Sequence, residues 1–280
     1  EYSMKQILGI LSCVFLIIYF TNEMVTEKLS NDDLYKDALL TTSGNLNSQS
    51  EQPDYKLIYD TLLTTLYPSI EKEIINYYGY LKQYGLNDAK ILSINRYEGQ
   101  FGFIVKVQVT TFEHAHDPPN GKETMTFKID PFGVKTISFQ HKGDNLEKDI
   151  DEFYKATLSD IKQSFNLNLD HYTAYTYNQL QYQAEINNNF KSLFTIVEEI
   201  ATNILLPERK IPNKNVIDPV TFLKDDSGYI VFKKSDGTNV NYKVEKKDDN
   251  WIVTDKNSTQ GKKMDYRLPW YIWENNKPKD

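Results

Sequence analysis

The sequence predicts an α+β protein: two tandem units, each a helical part followed by an antiparallel meander, placed after an N-terminal apolar helix. Three observations lead there. Apolar residues recur every three or four positions over 57–78 and again over 150–165, the period of helices with one buried face. After each helical region come short segments that alternate apolar and polar, separated by Gly, Pro, Asn and Asp. Tyr and Phe number 20 and 14 in 280 residues, and aromatic side chains suit sheet surfaces.

Composition bounds the function classes. The chain is 40% hydrophobic and 25% charged, a globular balance with apolar material enough for a core. A net charge of −7 opposes a polyphosphate-binding face and argues against nucleic acid as the main partner. The single cysteine, Cys13, sits inside the first apolar run, so neither an intrachain disulfide nor a thiolate zinc site can form.

Met4-Lys5-Gln6 reads as the natural start, with Glu1 to Ser3 ahead of it. The apolar run Ile7 to Phe20 follows a positive residue and is shorter than the ~20 residues of a membrane span. No small-x-small cleavage site follows it, so residues 1–29 are expected to be a signal peptide or an uncleaved anchor. Glu23, Glu27, Asp32 and Asp33 after the run place the bulk of the chain outside, extracellular or on the outer face of the membrane. Residues 30–53, rich in Ser, Asn and Gln, read as a flexible linker.

The first unit is expected over 54–143. Leu57, Ile58, Leu62, Leu66, Ile70, Ile74 and Tyr77-Tyr78 form one helical stripe, which Pro68 should kink or restart and Gly79 and Gly85 should end. Four strands follow, over 89–97, 101–112, 123–130 and 134–141. Phe101, Phe103, Val105, Val107 and Val109 share one face, Met125, Phe127 and Ile129 point inward, and Ile137 and Phe139 fall together. A helix covering the apolar face of such a meander is a cystatin-like arrangement.

Several segments here resemble one known family. They are Asp60-Thr-Leu-Leu-Thr-Thr-Leu-Tyr-Pro-Ser-Ile70, Asn76-Tyr-Tyr-Gly79, Asp88-Ala-Lys-Ile-Leu-Ser-Ile94, Val105-Lys-Val-Gln-Val-Thr-Thr-Phe112, His116-Asp-Pro-Pro-Asn-Gly-Lys-Glu123 and Gly133-Val-Lys135. They resemble an uncharacterised domain-of-unknown-function family of short exported proteins from bacilli and related spore-forming bacteria. The resemblance covers about residues 54–143 and implies a Gram-positive, exported domain, with no catalytic residues to carry over. Glu113 and His114 depart from its pattern, so a site using His114 would be particular to this chain.

The stretch Thr110 to Lys128 is the chemically richest part of that unit. Pro118-Pro119 is expected to end one strand, and Asn120-Gly121 to supply the positive φ that reverses the chain. In a strand His114 and His116 point to one side, and Glu123 returning on the next strand would complete an N/O shell for a divalent metal. The structural reading is a solvated hairpin end without cofactor. A His–carboxylate acid/base pair is a further reading, with no activated nucleophile beside it.

The second unit is expected over 147–280. Amphipathic helices are predicted over 147–165 and 189–206, the latter stopped by Pro207, with a third over 172–186. Strands follow at 220–223, 229–232, 240–244 and 251–254, turning at Asp226-Ser-Gly228, Ser235-Asp-Gly237 and Asp248-Asp-Asn250. Helices followed by a meander closing on a Trp strand generally resemble the nuclear-transport-factor-2-like or cystatin-like superfold. Tyr172, Tyr175, Tyr177 and Tyr182 either half-cover a core or line a ligand or glycan pocket. The tail Leu268-Pro-Trp-Tyr-Ile-Trp273 either packs on the sheet or docks a partner.

Three functional expectations follow. The first is a non-catalytic exported or membrane-tethered protein, a binding or assembly module of a Gram-positive envelope, with an envelope protein or the membrane itself, through residues 7–20, as partner. The second is a scaffold component of a conjugation or secretion channel; the chain resembles the membrane-anchored proteins of such machines that carry paired domains of this superfold. The third is a metal binder or hydrolase using His114, His116 and Glu123.

Overall fold

The computed structural model describes residues 54–97, 99, 101–113, 117–206 and 218–263. The apolar run 7–20, the linker 30–53 and the tail 268–273 lie outside the described residues. Among those described, no helix is long and apolar enough to cross a membrane. From Tyr55 onward the chain forms a compact unit of mixed α+β structure, with two antiparallel sheets and several helices.

Helix α1 (Tyr55–Tyr78) buries Leu63, Leu66, Ile70 and Ile74. It continues through Pro68 as one helix, without the restart that was one of the two expectations there. A proline inside a helix costs roughly 3 kcal/mol. The buried side chains lie on both sides of it, each worth roughly 1.5–3 kcal/mol on burial, so packing outweighs the lost hydrogen bond. Leu57 and Ile58, expected in the stripe, are exposed. The phase is set by Leu63, Leu66, Ile70 and Ile74, and its backward continuation meets Tyr59.

Strands β1 (Lys90–Arg96), β2 (Phe103–Glu113), β3 (Asp117–Asp130) and β4 (Gly133–Gly143) pair in sequence order. Val105, Val107, Val109, Met125 and Phe127 join the α1 stripe in one core. Phe101, expected on that face, is 68% exposed because it precedes β2, with no ladder to hold its phase. A bulge after Thr126 pairs Phe127 with Thr136 instead of Ile137, so Ile137, expected beside Phe139, is 55% exposed. The turn expected at 118–121 is strand: β3 starts at Asp117, paired with Glu113, and Gly121 is not among the residues of positive φ.

Helix α2 (Asn145–Ser164) starts where the Asp144 side chain accepts from the Glu147 N–H, two residues earlier than expected. The region expected to be helical over 172–186 opens with strand β5 (Thr173–Tyr175), and helix α3 (Tyr177–Ile186) begins only at the Thr176 cap. The helix expected over 189–206 is three pieces: a 3₁₀ turn Asn188–Phe190, helix α4 (Lys191–Glu199) and a π-helical segment Ile200–Leu205. Strands β6 (Val220–Lys224), β7 (Ser227–Lys233), β8 (Thr238–Lys247) and β9 (Asn250–Gln260) complete a five-stranded antiparallel sheet with β5 at its edge.

This second sheet is covered on both faces. Ile230 and Phe232 pack with Leu180, Leu193 and Val197 of α3 and α4, while Val231 between them packs with Ile161 of α2. Neighbouring strand residues point to opposite faces, so the continuous apolar run of β7 serves two cores. The β8–β9 turn places Asp248 and Asp249 at φ 49° and 64°, a pair of positive angles suited to a two-residue hairpin. The β6–β7 turn falls on Asp225 and Asp226, ahead of the expected Gly228, with Asp225 at φ 52°.

Candidate functional site

A connected group of polar side chains lies where α1, β2, β3, β4 and α2 meet. Glu123 sits on the inward face of β3, in phase with Met125 and Phe127, and is fully buried. Its Oε1 accepts from the Tyr78 hydroxyl at 2.7 Å and from the Thr111 hydroxyl at 2.9 Å. His141, its cross-strand neighbour on β4, places Nδ1 3.0 Å from both Glu123 oxygens and Nε2 2.8 Å from Glu147 Oε2. Carboxylates only accept, so a ring protonated on both nitrogens satisfies both partners. Tyr77 stacks on the imidazole with ring centres 4.8 Å apart.

Two glycines make room for this group. Gly121 and Gly143 face each other across β3 and β4. A methyl carbon on Gly121 would collide with Glu123 Oε1, and one on Gly143 with Glu147 Oε2. Gly121 is therefore required for space beside the cluster, which is why an Asn-Gly pair stands in a strand.

Tyr78 connects the cluster to a cleft. Burial pushes its phenol well above the ordinary tyrosine range; the Thr111 hydrogen bond opposes this and the Glu123 hydrogen bond and charge add to it. The ammonium of Lys82 lies 4.8 Å over the Tyr78 ring and 3.2 Å from Glu113 Oε1, although the Lys82 side chain is only 4% exposed. Across from it stands α3, tied to the end of α1 by the side chain of Gln179. Gln179 accepts from the Thr176 N–H and donates to the Tyr78 carbonyl at 2.8 Å. Gly79, at φ 76°, ends α1 and leaves space for that amide.

The cleft between the Tyr80–Gln83 segment and α3 holds about 260 Å³. Tyr80, Lys82, Phe112, Glu113, Asn178 and Tyr182 are among the residues lining it. Burial, with the Glu113 charge behind it, pushes the Tyr80 phenol up to about 12 against the opposing Asn178 hydrogen bond, so this hydroxyl stays neutral and can donate or accept. Small-molecule pockets usually hold roughly 300–1,000 Å³, so this cleft falls just below that range and has room for a single side chain or ring.

Of the expected site residues, Glu123, Tyr172, Tyr175, Tyr177 and Tyr182 are among those described. His114 and His116 lie outside the described residues. Glu123 is turned inward and engaged by Tyr78, Thr111 and His141. Among the described residues no group of three His, Cys, Asp or Glu is arranged to hold a metal ion. Tyr172 packs against Tyr229, Tyr175 against Phe190 and Tyr177 against Phe194, while Tyr182 faces the cleft. Thr111, His141, Glu147 and Lys82 were not anticipated from the sequence. Strand parity offered a signal for two of the cluster's members, since Glu123 shares phase with Met125 and His141 shares phase with Phe139.

A DUF3888 domain spans residues 58–142. The matching family model is described as "Protein of unknown function (DUF3888)". It covers α1 and the first sheet, including Tyr78, Thr111, Glu123 and His141, and stops before Glu147. No curated protein and no solved structure matches the chain.

Proposed function

We propose that this chain is a non-catalytic binding module of a Gram-positive cell envelope, exported or tethered at the outer face of the membrane, whose partner is another envelope protein. The observation that carries the reading is Lys82. A nearly buried ammonium with three donors, one of them taken by Glu113, lines a cleft large enough for one anchoring side chain. The Glu123–His141 group behind it is closed on itself and supports the Tyr78 ring beneath that ammonium. A channel scaffold is the form of this reading in which the partner is a channel subunit. A cystatin-like plan for the DUF3888 domain, and a nuclear-transport-factor-2-like plan for the remainder, belong to the same proposal; a helix packed on a four-stranded meander supports the first.

A photo-reactive residue placed at Gln181 in the intact chain, irradiated on cells, tests it. The expected result is a discrete protein adduct that weakens at least several-fold in a Lys82→Met background and is absent when the probe stands at Phe132. Equal labelling from both probe positions, or an adduct indifferent to Lys82, removes the cleft from consideration.

A further inference from the structure

We propose that Lys233 and Asn239 become joined by an intramolecular isopeptide bond, with Asp160 moving the protons. The two residues are direct cross-strand partners on β7 and β8, so their side chains leave the same face of the sheet side by side. Lys233 is 2% exposed and Asn239 fully buried. From α2, Asp160 brings a single oxygen, Oδ2, to within 2.6 Å of Lys233 Nζ and 2.9 Å of Asn239 Nδ2. One carboxylate oxygen thus touches the nitrogen that must lose protons and the nitrogen that must gain one. The Asn239 carbonyl oxygen, Oδ1, is buried without a hydrogen-bond partner. Gly261 lets its own strand end approach, since a methyl carbon there would collide with Asn239 Nδ2 and lie 2.5 Å from Asp160 Oδ2.

The step balances within these groups. Nζ gives a proton to Asp160 and its freed electron pair attacks Asn239 Cγ, forming the C–Nζ bond. A second proton passes through the same carboxyl to Nδ2, the C–Nδ2 bond breaks, and ammonia leaves. Of the three protons on Nζ, one stays on the new amide, one remains on Asp160 and one departs in the ammonia. The neutral carboxyl can then donate to the orphaned Oδ1, and the buried ion pair is replaced by an amide. Burial raises the Asp160 carboxyl, but the Lys233 and Asn239 hydrogen bonds, the Lys262 N–H and the Lys233 charge outweigh it and hold it at about 2. The charged pair, with Lys233 also donating to the Lys262 and Gly237 carbonyls, is therefore the resting state. The reaction is slow and occurs once per molecule.

Peptide mapping of the purified full chain decides it. Trypsin cuts after Lys234, so in the cross-linked protein residues 225–234 remain attached to 235–243, and their joint mass is about 17 Da below the sum, the mass of ammonia. Lys233→Arg and Asn239→Ala are expected to give separate peptides, and Asp160→Asn to give a folded chain, by circular dichroism, with the link reduced at least tenfold. Separate, full-mass peptides from the wild-type chain after prolonged incubation overturn the proposal. Full linkage in Asp160→Asn overturns the role given to Asp160.

Discussion

Replacing Gly121 by alanine probes the packing behind the cleft. The added carbon would lie 2.5 Å from Thr111 Oγ1 and 2.8 Å from the Tyr78 hydroxyl, and closer still to Glu123 Oε1. Retreat is closed to them, because Thr111 and Glu123 are fully buried and each is held by the others. Overpacking of this kind costs roughly 1–3 kcal/mol. Parting a carboxylate from one hydroxyl donor adds roughly 1.5–3 kcal/mol, so the expected loss is about 4 kcal/mol. Urea unfolding of the intact chain, followed by tryptophan fluorescence and circular dichroism, reads it. Gly85→Ala is the control: its added carbon meets only Asp88 Oδ2 at 4.0 Å, and its stability should stay within about 1 kcal/mol of wild type. If Gly121→Ala costs no more than that control, the close approach of Glu123, Thr111 and Tyr78 to Gly121 is refuted.

Other perturbations address the same region. His141→Phe leaves Glu123 and Glu147 without their shared hydrogen-bond partner and should cost about 3 kcal/mol, seen as a lowered thermal midpoint; an unchanged midpoint would mean the ring holds neither carboxylate. Glu147→Gln keeps a hydrogen-bonding oxygen and should cost only about 1 kcal/mol in the same melt, so a loss equal to that of His141→Phe would contradict the pairing described. Tyr80, raised to about 12 from an ordinary 10.0, stabilises the fold fully below pH 10. That contribution, about 3 kcal/mol, is lost as pH rises from 10 through 12. Tyrosinate absorbance should therefore show late-titrating tyrosines, Tyr78 and Tyr84 with Tyr80, that ionise together with unfolding. All tyrosines titrating near pH 10 in a folded chain would be inconsistent with their burial.

Much of the first sheet was legible because its strands alternate strictly. Val105, Val107 and Val109 kept their predicted face, and the same parity pointed Glu123 inward. What parity could not supply was the partner. The contact between Glu123 and His141 depends on cross-strand register, which a bulge after Thr126 resets, and the contact with Tyr78 depends on how α1 lies on the sheet. Asn120-Gly121 misled for a physical reason: the pair carries a strong local turn signal, but the glycine answers to a neighbour's side chain. In the second sheet, the run Ile230-Val231-Phe232 signalled burial without revealing that α2 would cover one side. Asp160 lies 73 residues from Lys233, and nothing in either local pattern links them.

The His141–Glu147 contact bears on where this domain can be cut. The family match ends at residue 142, yet the imidazole's second acceptor is supplied from the first turn of α2. The Asp144 side chain also accepts from the Asn120 N–H, and the Asp144 N–H donates to the Asn120 carbonyl, pinning the start of β3 to that same turn. A piece excised at the family boundary would carry an imidazole facing water on one side and a strand opening without its clasp. A fragment that keeps both contacts has to include Asp144 and Glu147, and so runs past the family match into the first turn of α2.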